Sequence, residues 1–554
     1  MIPSSITPPL TRCKAVWSAK RALAALVLLV VGFAPAAEAA NRERRARRSN
    51  VSRHADTSRA RARQDLFGAR VRRYKLDEEV TRRKDRNPQE RTRVIVTLLP
   101  GAKLPAEFRR FARGDRKLDI INGAVLDLPN SVIRRLESRP EIFRVHHDRE
   151  IQGHNYRSSV TTGARKARQL FGYDGAGVGI AVIDSGITSW HDDLSGASNS
   201  QSFPYGDQRV TKFVDFVGGQ TQPYDDNGHG SHVAGIISGN GYDSNSAKSG
   251  PAPGSALVVL KVLDGNGQGS ISNIIAALNW VANNAATYNI RIVNMSVGAK
   301  IHESYLTDPL TLATKRVTDM GITVVAAAGN FGSNANGQRQ WGGITAPGNA
   351  PWVLTVGASS TEGTSTRQDD KMGSYSSSGP TYIDHSAKPD LVAPGTGTVS
   401  LAVPGSHLFN TKPTARVNGS NGQPVYLSLT GTSMAAPHVS GVVALMLQAN
   451  PSLTPNLIKA ILQYTAQPYS GYKPLQQGAG FLNALGAVRL ARFYTLNTVN
   501  AKMPTQRSWG KSIIWGNHLL EGGYLSPRAN AWANNVVWGS ARTMGLTGDN
   551  IVWG

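Results

Sequence analysis

The chain has 554 residues, 40% of them apolar and 18% charged, so it can bury a large core and form more than one domain. Its formal net charge of +24 is concentrated at the front, because 38 of the 61 basic and 17 of the 37 acidic residues lie within positions 1–170. The rest of the chain is close to neutral, which argues against a folded nucleic-acid-binding surface and predicts no nucleic-acid partner.

Residues 1–39 have the organisation of a secretory signal peptide. Basic residues precede the apolar run ALAALVLLVVGF (22–33), and the small residues APAAEAA follow it. The run is 12 residues long, whereas about 20 are needed to cross a bilayer. We therefore predict cleavage near Ala39, a secreted product and no stable membrane span. Cys13, the one cysteine, leaves with the signal, so the mature chain has no disulfide.

Two segments of different character follow the signal. Residues 40–92 are arginine-rich and poor in apolar residues, which predicts a basic disordered linker. Residues 93–150 contain strand-like and helical patterns in the order β-α-β-β-α-β, which is typical of a small split βαβ module. Such a module could be a separate binding domain, so its role depends on the chain that follows.

Residues 151–495 alternate between buried strand patterns and helical patterns. VGIAVID (178–184) is typical of a strand buried on both faces, and ISNIIAALNWVANN (271–284) is typical of a helix. This alternation predicts an α/β domain with a mostly parallel sheet and helices on both faces. In such sheets, functional groups collect at the carboxyl ends of the strands.

Residues 496–554 form a C-terminal extension rich in tryptophan and glycine. Five of the ten tryptophans lie in its last 46 residues, and a loose repeat occurs as SIIWG (512–516), NVVWG (535–539) and NIVWG (550–554). The copies are unevenly spaced, which argues against a solenoid. Either short strands pack on the preceding domain, or the segment serves extracellular attachment or assembly.

Three side chains in separate elements together suggest nucleophilic catalysis. Asp184 ends a strand, His229 stands between glycines at the start of a helix, and Ser433 begins an alanine-rich helix. An acid can orient an imidazole, which can then remove a proton from a hydroxyl. Taken singly, the three could be a turn residue, a structural histidine and a helix N-cap. His232 and His438 lie within helix-forming runs and are interpreted as packing residues.

Four motifs carry a family resemblance. AVIDSGI, GHGSHVAGIISG, VVAAAGN and GTSMAAPHVSGVVALML occur in the order found in the subtilisin-like serine peptidases, over residues 165–490. The resemblance implies Asp184 as the orienting acid, His229 as the general base and then acid, and Ser433 as the acyl-forming nucleophile. It also implies that the side-chain amide of Asn330 and the backbone N–H of Ser433 stabilise the oxyanion.

The resemblance also implies how substrates bind. In the family, a backbone segment pairs with an extended polypeptide substrate as an added strand. The segment SVGA (296–299) matches it through Ser296, Val297 and Gly298, although the commoner family sequence is Leu-Gly-Gly. Ala327 and Gly329, within the run AAAG, match a wall of the primary pocket. Small apolar walls without a nearby carboxylate suggest tolerance for large apolar side chains.

Metals and cofactors receive little support from the sequence. We expect no required cofactor, and a zinc site at His229 and His232 lacks a third ligand at a usual spacing. The loop SGNGYDSNSAKSG (238–250) occupies a position where family members often bind structural calcium, with Asp243 and Asn245 as possible oxygen ligands. The rest of the usual loop pattern is missing.

The resemblance gives the front module a role as an inhibitor propeptide. The predicted protein is a secreted serine endopeptidase that is made as an inactive precursor and cleaves itself within residues 150–160. Its partners would be polypeptide substrates and its own propeptide. The alternative is a catalytically inactive relative that acts as an extracellular binding protein.

Overall fold

The structure is a computed structural model. It describes residues 75–84, 87–113, 115–148, 150–153, 161–196, 204–206, 208–364, 367–495, 503–515, 517–522, 525 and 542–545. The predicted signal, most of the predicted linker, residues 154–160 and the two later repeats lie outside these ranges. A search of the described helices finds none that combines the length and the apolar character needed to cross a membrane.

The front module is a four-stranded antiparallel sheet with three helices. Its elements are α1 (Glu78–Lys84), β1 (Arg91–Leu98), α2 (Ala106–Phe111), β2 (Asp115–Leu118), β3 (Gly123–Pro129), α3 (Asn130–Glu137) and β4 (Ile142–His147). The strand order is β2-β3-β1-β4. Val94 and Val96 of β1 face a core shared with the three helices, whereas Ile95 joins a core of the next domain. The sheet is therefore buried on both faces.

The front module starts earlier than the sequence suggested. Residues 75–92 were predicted to belong to a disordered linker, but α1 lies there, and Leu76 and Val80 are buried in the module's core. Two well-placed apolar residues are sufficient to dock this basic helix, although its composition resembles that of a disordered segment. Helix α3 begins at Asn130, directly after Pro129, and has no side-chain cap.

The second domain is built on an eight-stranded sheet. Its strands are β6 (Gly179–Asp184), β7 (Val210–Asp215), β8 (Ala256–Lys261), β10 (Ile290–Met295), β12 (Thr323–Ala327), β13 (Leu354–Ser360), β14 (Lys371–Met372) and β15 (Leu391–Thr396). The order is β14-β13-β12-β10-β6-β8-β7, with β15 also paired to β13. Only the short strand β14 is antiparallel to its neighbour among these pairs. The predicted mostly parallel sheet is confirmed.

Helices cover both faces of this sheet, as predicted. They are α4 (Ala164–Phe171), α5 (His229–Ser238), α6 (Ile271–Asn284), α7 (Pro309–Asp319), α8 (His407–Thr411), α9 (Thr432–Ala449), α10 (Pro455–Thr465), α11 (Pro474–Gln477) and α12 (Ala484–Phe493). Side chains of β6 alternate between the faces: Val182 packs in the core with α5 and α9, and Ile183 in the core with α6 and α7. A strand enclosed in this way is a continuous apolar run.

Three smaller sheets complete the fold. Their strands are β5 (Glu150–Gly153), β9 (Gln268–Ser270), β11 (Val297–Gly298), β16 (Thr398–Leu401), β17 (Arg416–Val417), β18 (Tyr426–Leu429), β19 (Ser512–Trp515), β20 (His518–Glu521) and β21 (Arg542–Gly545). The orders are β11-β5-β9, β16-β18-β17 and β19-β20-β21. In the first of these sheets, a strand that follows the front module lies between two strands of the second domain.

Candidate active site

Asp184 and His229 are in direct contact beneath the surface. Asp184 is the last residue of β6 and His229 the first residue of α5, so the carboxyl end of a central strand meets the start of a helix. His229 Nδ1 lies 2.6 Å from Asp184 Oδ1, and both residues have 0% exposed surface. This contact directs the Nδ1 proton to the carboxylate and leaves Nε2 as the atom that can accept a proton.

The Asp184 carboxylate has few other donors. The backbone N–H of Ser185 donates to Oδ1 at 2.8 Å. The second oxygen, Oδ2, is buried and receives no hydrogen bond from the part of the chain that the structure describes. This buried carboxylate therefore interacts mainly with the imidazole of His229.

A second acid, Asp225, holds the loops around this pair together, and the sequence argument missed it. Its carboxylate accepts the Ser185 hydroxyl at 2.8 Å, the Gly228 N–H at 2.7 Å and the Ser231 N–H at 2.8 Å. Ser185 Oγ in turn accepts the Gly230 N–H at 2.8 Å. The residue after Asp184 is thus joined to the first turn of α5. Asp225 is the first residue of the motif DDNGHGSH, but this motif gives no indication that Asp225 binds Ser185, 40 residues earlier in the chain.

The packing of the loop after β6 against the start of α5 also requires a glycine at position 230. A Cβ placed there would lie 2.3 Å from the carbonyl oxygen of Gly186, which is far closer than real side chains approach. Because α5 begins against the loop after β6, any larger residue at 230 would push His229 away from Asp184. The glycine-rich motif around His229 therefore has a packing reason as well as a conformational one.

Ser433 is the second residue of α9, and its surroundings are polar backbone groups. The N-cap of α9 is Gly431, so Ser433 is not a cap. Its hydroxyl donates to the Ser296 carbonyl at 3.0 Å, and the Ser296 hydroxyl donates to the Ser433 carbonyl at 2.8 Å. Proton transfer to His229 therefore requires the Ser433 hydroxyl to turn away from Ser296. Helices α5 and α9, which carry the two residues at their N-terminal ends, pack against each other.

Asn330 is fixed beside the start of α9 by its side-chain oxygen. Asn330 Oδ1 accepts the Thr432 N–H at 3.0 Å and the Thr432 hydroxyl at 3.1 Å. The Gly329 N–H donates to the same Thr432 hydroxyl at 3.1 Å. With its oxygen engaged in this way, the amide of Asn330 offers its N–H groups as donors next to Ser433.

The residues predicted to bind substrate have different surroundings. Val297 and Gly298 form β11, which pairs with β5 in antiparallel register, Gly153 opposite Val297 and Gln152 opposite Gly298. Gly329 lies against Thr345, and a Cβ on Gly298 would lie 2.5 Å from the Thr345 hydroxyl. Ala327 ends β12 and is buried in a core of the domain, so its side chain packs within the fold.

The two rival histidines are both packing residues in the structure. His232 Nε2 contacts the Leu427 carbonyl at 3.2 Å. His438 lies inside α9, and burial lowers its pKa to about 3, so its imidazole stays neutral in the fold.

The loop expected to hold calcium contributes Asp243 to a group of candidate metal ligands that includes both carboxylates and an imidazole. Asp243 lies with His191 and Asp193 in a buried group whose ligand atoms are within 4.8 Å of one another, whereas Asn245 is exposed. His191 Nδ1 accepts the Asp193 N–H at 3.0 Å, and the Asp193 carboxylate accepts the Tyr426 hydroxyl at 2.9 Å. Burial and the neighbouring Asp193 raise the pKa of Asp243. An engaged imidazole fits calcium poorly, since calcium prefers oxygen ligands.

Comparison with known proteins gives a consistent result. Residues 175–488 match the model of the "Subtilase family". The chain is 36% identical over 323 residues to serine protease AprX of Bacillus subtilis, covering 57% of this chain and 66% of AprX. It is 31% identical over 379 residues to subtilisin E of the same species, covering 68% and 82%. It is 32% identical over 359 residues to the extracellular serine proteinase of a Thermus species, covering 63% and 72%.

These matches span the region that contains all four catalytic candidates. The chain covers a little less than two thirds of AprX, and more than two thirds of subtilisin E. The family match covers more than half of the chain and coincides with the domain built on the eight-stranded sheet. The chain belongs to the subtilase family of subtilisin-like serine peptidases.

Proposed function

We propose that this chain is a secreted serine endopeptidase that hydrolyses peptide bonds through an acyl-enzyme. The observation that carries the proposal is the buried Asp184–His229 contact of 2.6 Å, at the start of a helix that packs against the helix carrying Ser433 in its first turn. An acid, an imidazole whose Nε2 can act as base, and a hydroxyl near backbone donors are the groups that acyl transfer requires. The extracellular name of the Thermus relative supports secretion.

The proposed reaction follows from these groups. His229 Nε2 takes the Ser433 proton as Oγ attacks the carbonyl carbon of the scissile bond. The Ser433 N–H and the Asn330 amide stabilise the resulting oxyanion, and α9 adds the partial positive charge of its N-terminus. Collapse breaks the C–N bond, and the leaving amine receives the proton from His229. Water then repeats the sequence, and the acyl ester is hydrolysed to a carboxylate.

Substrates are proposed to bind as an added strand. The pairing of β5 between β9 and β11 supports this mode, because both neighbours can hydrogen-bond an extended chain through their main-chain groups. Main-chain pairing places little demand on side-chain identity. Selectivity must then come from pockets beside the strand.

We propose that the front module is an inhibitor that the enzyme removes from itself within residues 150–160. The strand register supports a narrower expectation. Gly153 is opposite Val297, the neighbour of Ser296, and the Ser296 carbonyl contacts the Ser433 hydroxyl. We therefore expect the cut to fall between His154 and Asn155.

The experiment compares the wild-type chain with Ser433→Ala after secretion, using intact-mass analysis and fluorophosphonate labelling. We expect the wild type to begin at Asn155 and to be labelled, and the variant to stay uncut and unlabelled. The scale of the activity loss, about 10⁶-fold in kcat, is that known for the same change in subtilisin. Ser452→Ala, just beyond the far end of α9, serves as the control and should be processed normally.

Two results would contradict the proposal. A wild-type N-terminus before residue 100 would exclude removal of the front module, and processing of the Ser433→Ala variant would mean that another protease makes the cut. Absence of both labelling and cleavage in the wild type would favour an inactive extracellular binding protein.

A further inference from the structure

Asn330 lies in a short loop that a second loop holds on both sides. The first loop follows β12, and Gly329 and Phe331 flank Asn330 within it. The backbone N–H of Ser377 donates to the Gly329 carbonyl at 3.0 Å, and the Ser377 hydroxyl oxygen accepts the Phe331 N–H at 3.0 Å. One buried serine therefore binds the main chain immediately before and immediately after the amide that the proposed reaction uses.

The backbone at Gly329 depends on such contacts because its own geometry leaves it free. Gly329 has a φ of 103°, which other residues rarely adopt, and glycine reaches many other conformations as easily. A Cβ at this position would lie 2.9 Å from the Ser377 hydroxyl oxygen, so a larger residue could not stiffen the turn. The direction in which the chain leaves β12 is therefore set by its partners, Ser377 at the carbonyl and Thr432 at the N–H.

The two loops are also joined further from Asn330. Beyond Phe331, the Gly332 N–H donates to the Tyr375 carbonyl at 2.9 Å. The contacts of Ser377 are thus the ones nearest to Asn330 along this junction. When the Ser377 hydroxyl is lost, the loop as a whole should stay attached, while the part next to Asn330 gains freedom.

Asn330 is held at two levels. Thr432 fixes the oxygen of its side chain, and Ser377 fixes the main chain that carries this side chain. An oxyanion donor is effective when it lies about 2.7–3.1 Å from the developing charge. A shift of about 1 Å in a positioned group can cost about 10²-fold in rate. The amide cannot keep the required distance if the backbone beneath it moves.

From this arrangement we infer that Ser377 is a positioning residue for oxyanion stabilisation and that its hydroxyl acts on the reaction only through Asn330. The inference rests on the proposed function, because it concerns the same reaction. The sequence motifs did not identify Ser377, which is the middle one of three consecutive serines at 376–378, all with 0% exposed surface.

Ser376, the neighbour of Ser377, provides a matched control. It is equally buried, and its hydroxyl oxygen also accepts a backbone N–H, that of Ala358 in β13, at 2.9 Å. Replacing either serine by alanine removes the same group and deprives a backbone N–H of its acceptor. The two substitutions should therefore shift the denaturation midpoint to a similar extent. They differ in whether the N–H belongs to the loop that carries Asn330.

The test measures peptide hydrolysis by the mature enzymes, with the concentration of active enzyme determined by fluorophosphonate labelling. Ser377→Ala should lower kcat by about tenfold and leave KM within about twofold, since the oxyanion forms only in the transition state. Ser376→Ala should keep kcat within about twofold of the wild type, because it leaves the Asn330 loop untouched. In an Asn330→Ala background, Ser377→Ala should cause no further loss of kcat, because the group that it positions is already absent.

A second variant and a second readout complete the test. Ser377→Cys keeps the shape of the side chain but offers a weaker acceptor, so kcat should fall in the same direction even if alanine is not tolerated at this position. A peptide aldehyde, whose adduct with Ser433 resembles the tetrahedral intermediate, should bind Ser377→Ala about tenfold more weakly than the wild type.

Two results would overturn the inference while peptide hydrolysis itself persists. One is a kcat in Ser377→Ala within about twofold of that in Ser376→Ala. The other is an equal loss of kcat from Ser377→Ala with and without Asn330, which would mean that Ser377 acts elsewhere. If the wild type hydrolyses no peptide, the proposed function fails first and the inference fails with it.

Discussion

The front module (residues 75–148) and the tail segment (residues 503–522) both pack on the peptidase domain, but in different ways. The front module has its own core between its sheet and its three helices. The tail segment has none: Trp509, Ile513 and Leu520 belong to the same core as α9 and α10. A segment with its own core can leave as a folded unit, whereas one without a core leaves a cavity behind.

The polar contacts that the front module and the tail segment make with the peptidase domain show the same difference. At the front, the Asp148 carboxylate accepts the Ser272 N–H at 2.8 Å at the start of α6, and Arg116 donates to Asn273 Oδ1 at 2.8 Å. Water can replace such contacts when the module departs. In the tail, the Gly510 N–H donates to the Ala466 carbonyl at 2.7 Å. The difference suggests that the front module is a removable part and the tail segment a permanent part of the enzyme.

The largest expected effect is a loss of stability when the tail segment packs less well on the peptidase domain. Trp509 is 4% exposed and packs edge-on against Tyr464, with ring centroids 6.3 Å apart. Trp509→Ala should reduce the free energy of unfolding by about 3–5 kcal/mol, the usual cost of truncating a buried aromatic side chain. The measurement is chemical denaturation in the Ser433→Ala background, which prevents self-digestion. Trp190→Ala, at a position that is 50% exposed, is the control and should cost less than about 1 kcal/mol.

A second prediction concerns the domain on which both flanking segments pack. Burial lowers the pKa of His438 to about 3, so between pH 6.5 and 3 the unfolded chain binds a proton that the folded chain does not. The stabilising contribution of neutral His438 is therefore complete above pH 6.5 and is lost as the pH falls, by up to about 1.4 kcal/mol per pH unit.

His438→Gln should flatten this dependence, because glutamine does not titrate. Denaturation curves between about pH 6.5 and 4.5 measure the slope in both chains, in the Ser433→Ala background and with the front module present or removed. Equal slopes with and without the His438→Gln substitution would mean that other groups dominate acid unfolding. If the pH dependence of the free energy of unfolding changed when the front module was removed, the stabilities of the two regions would not be independent.

The smallest expected effect concerns the contacts between the front module and the peptidase domain. Asp148→Asn removes the negative charge that caps α6, which we expect to weaken the hold of the front module by about tenfold. After the proposed self-cleavage, full activity should therefore appear about ten times sooner in a peptide-hydrolysis time course. Asp127→Asn is the matched control, since Asp127 pairs with Arg91 within the module. An unchanged delay in Asp148→Asn would show that the apolar face alone holds the module.

Local patterns predicted the main elements well. The helix ISNIIAALNWVANN has the same bounds in the structure, Ile271–Asn284, and the strand ending at Asp184 lies inside the sheet, between β10 and β8. Helix α1 was not predicted because its segment is short and basic, which is typical of a disordered chain. The two apolar residues that become buried were too weak a signal against that composition. The role of Asp225 was missed because one of its donors, the Ser185 hydroxyl, becomes a neighbour only when the loops after β6 and before α5 meet.

The sequence by itself determined the family, the parallel sheet and the chemical types of the catalytic candidates, because periodicity and motif spacing are local properties of a chain. Tertiary structure decided which histidine contacts an acid and which flanking segment shares the main core. Those outcomes depend on burial and on partners far apart in the chain. His229 and His438 carry the same imidazole, yet one is paired with Asp184 and the other is kept neutral by desolvation.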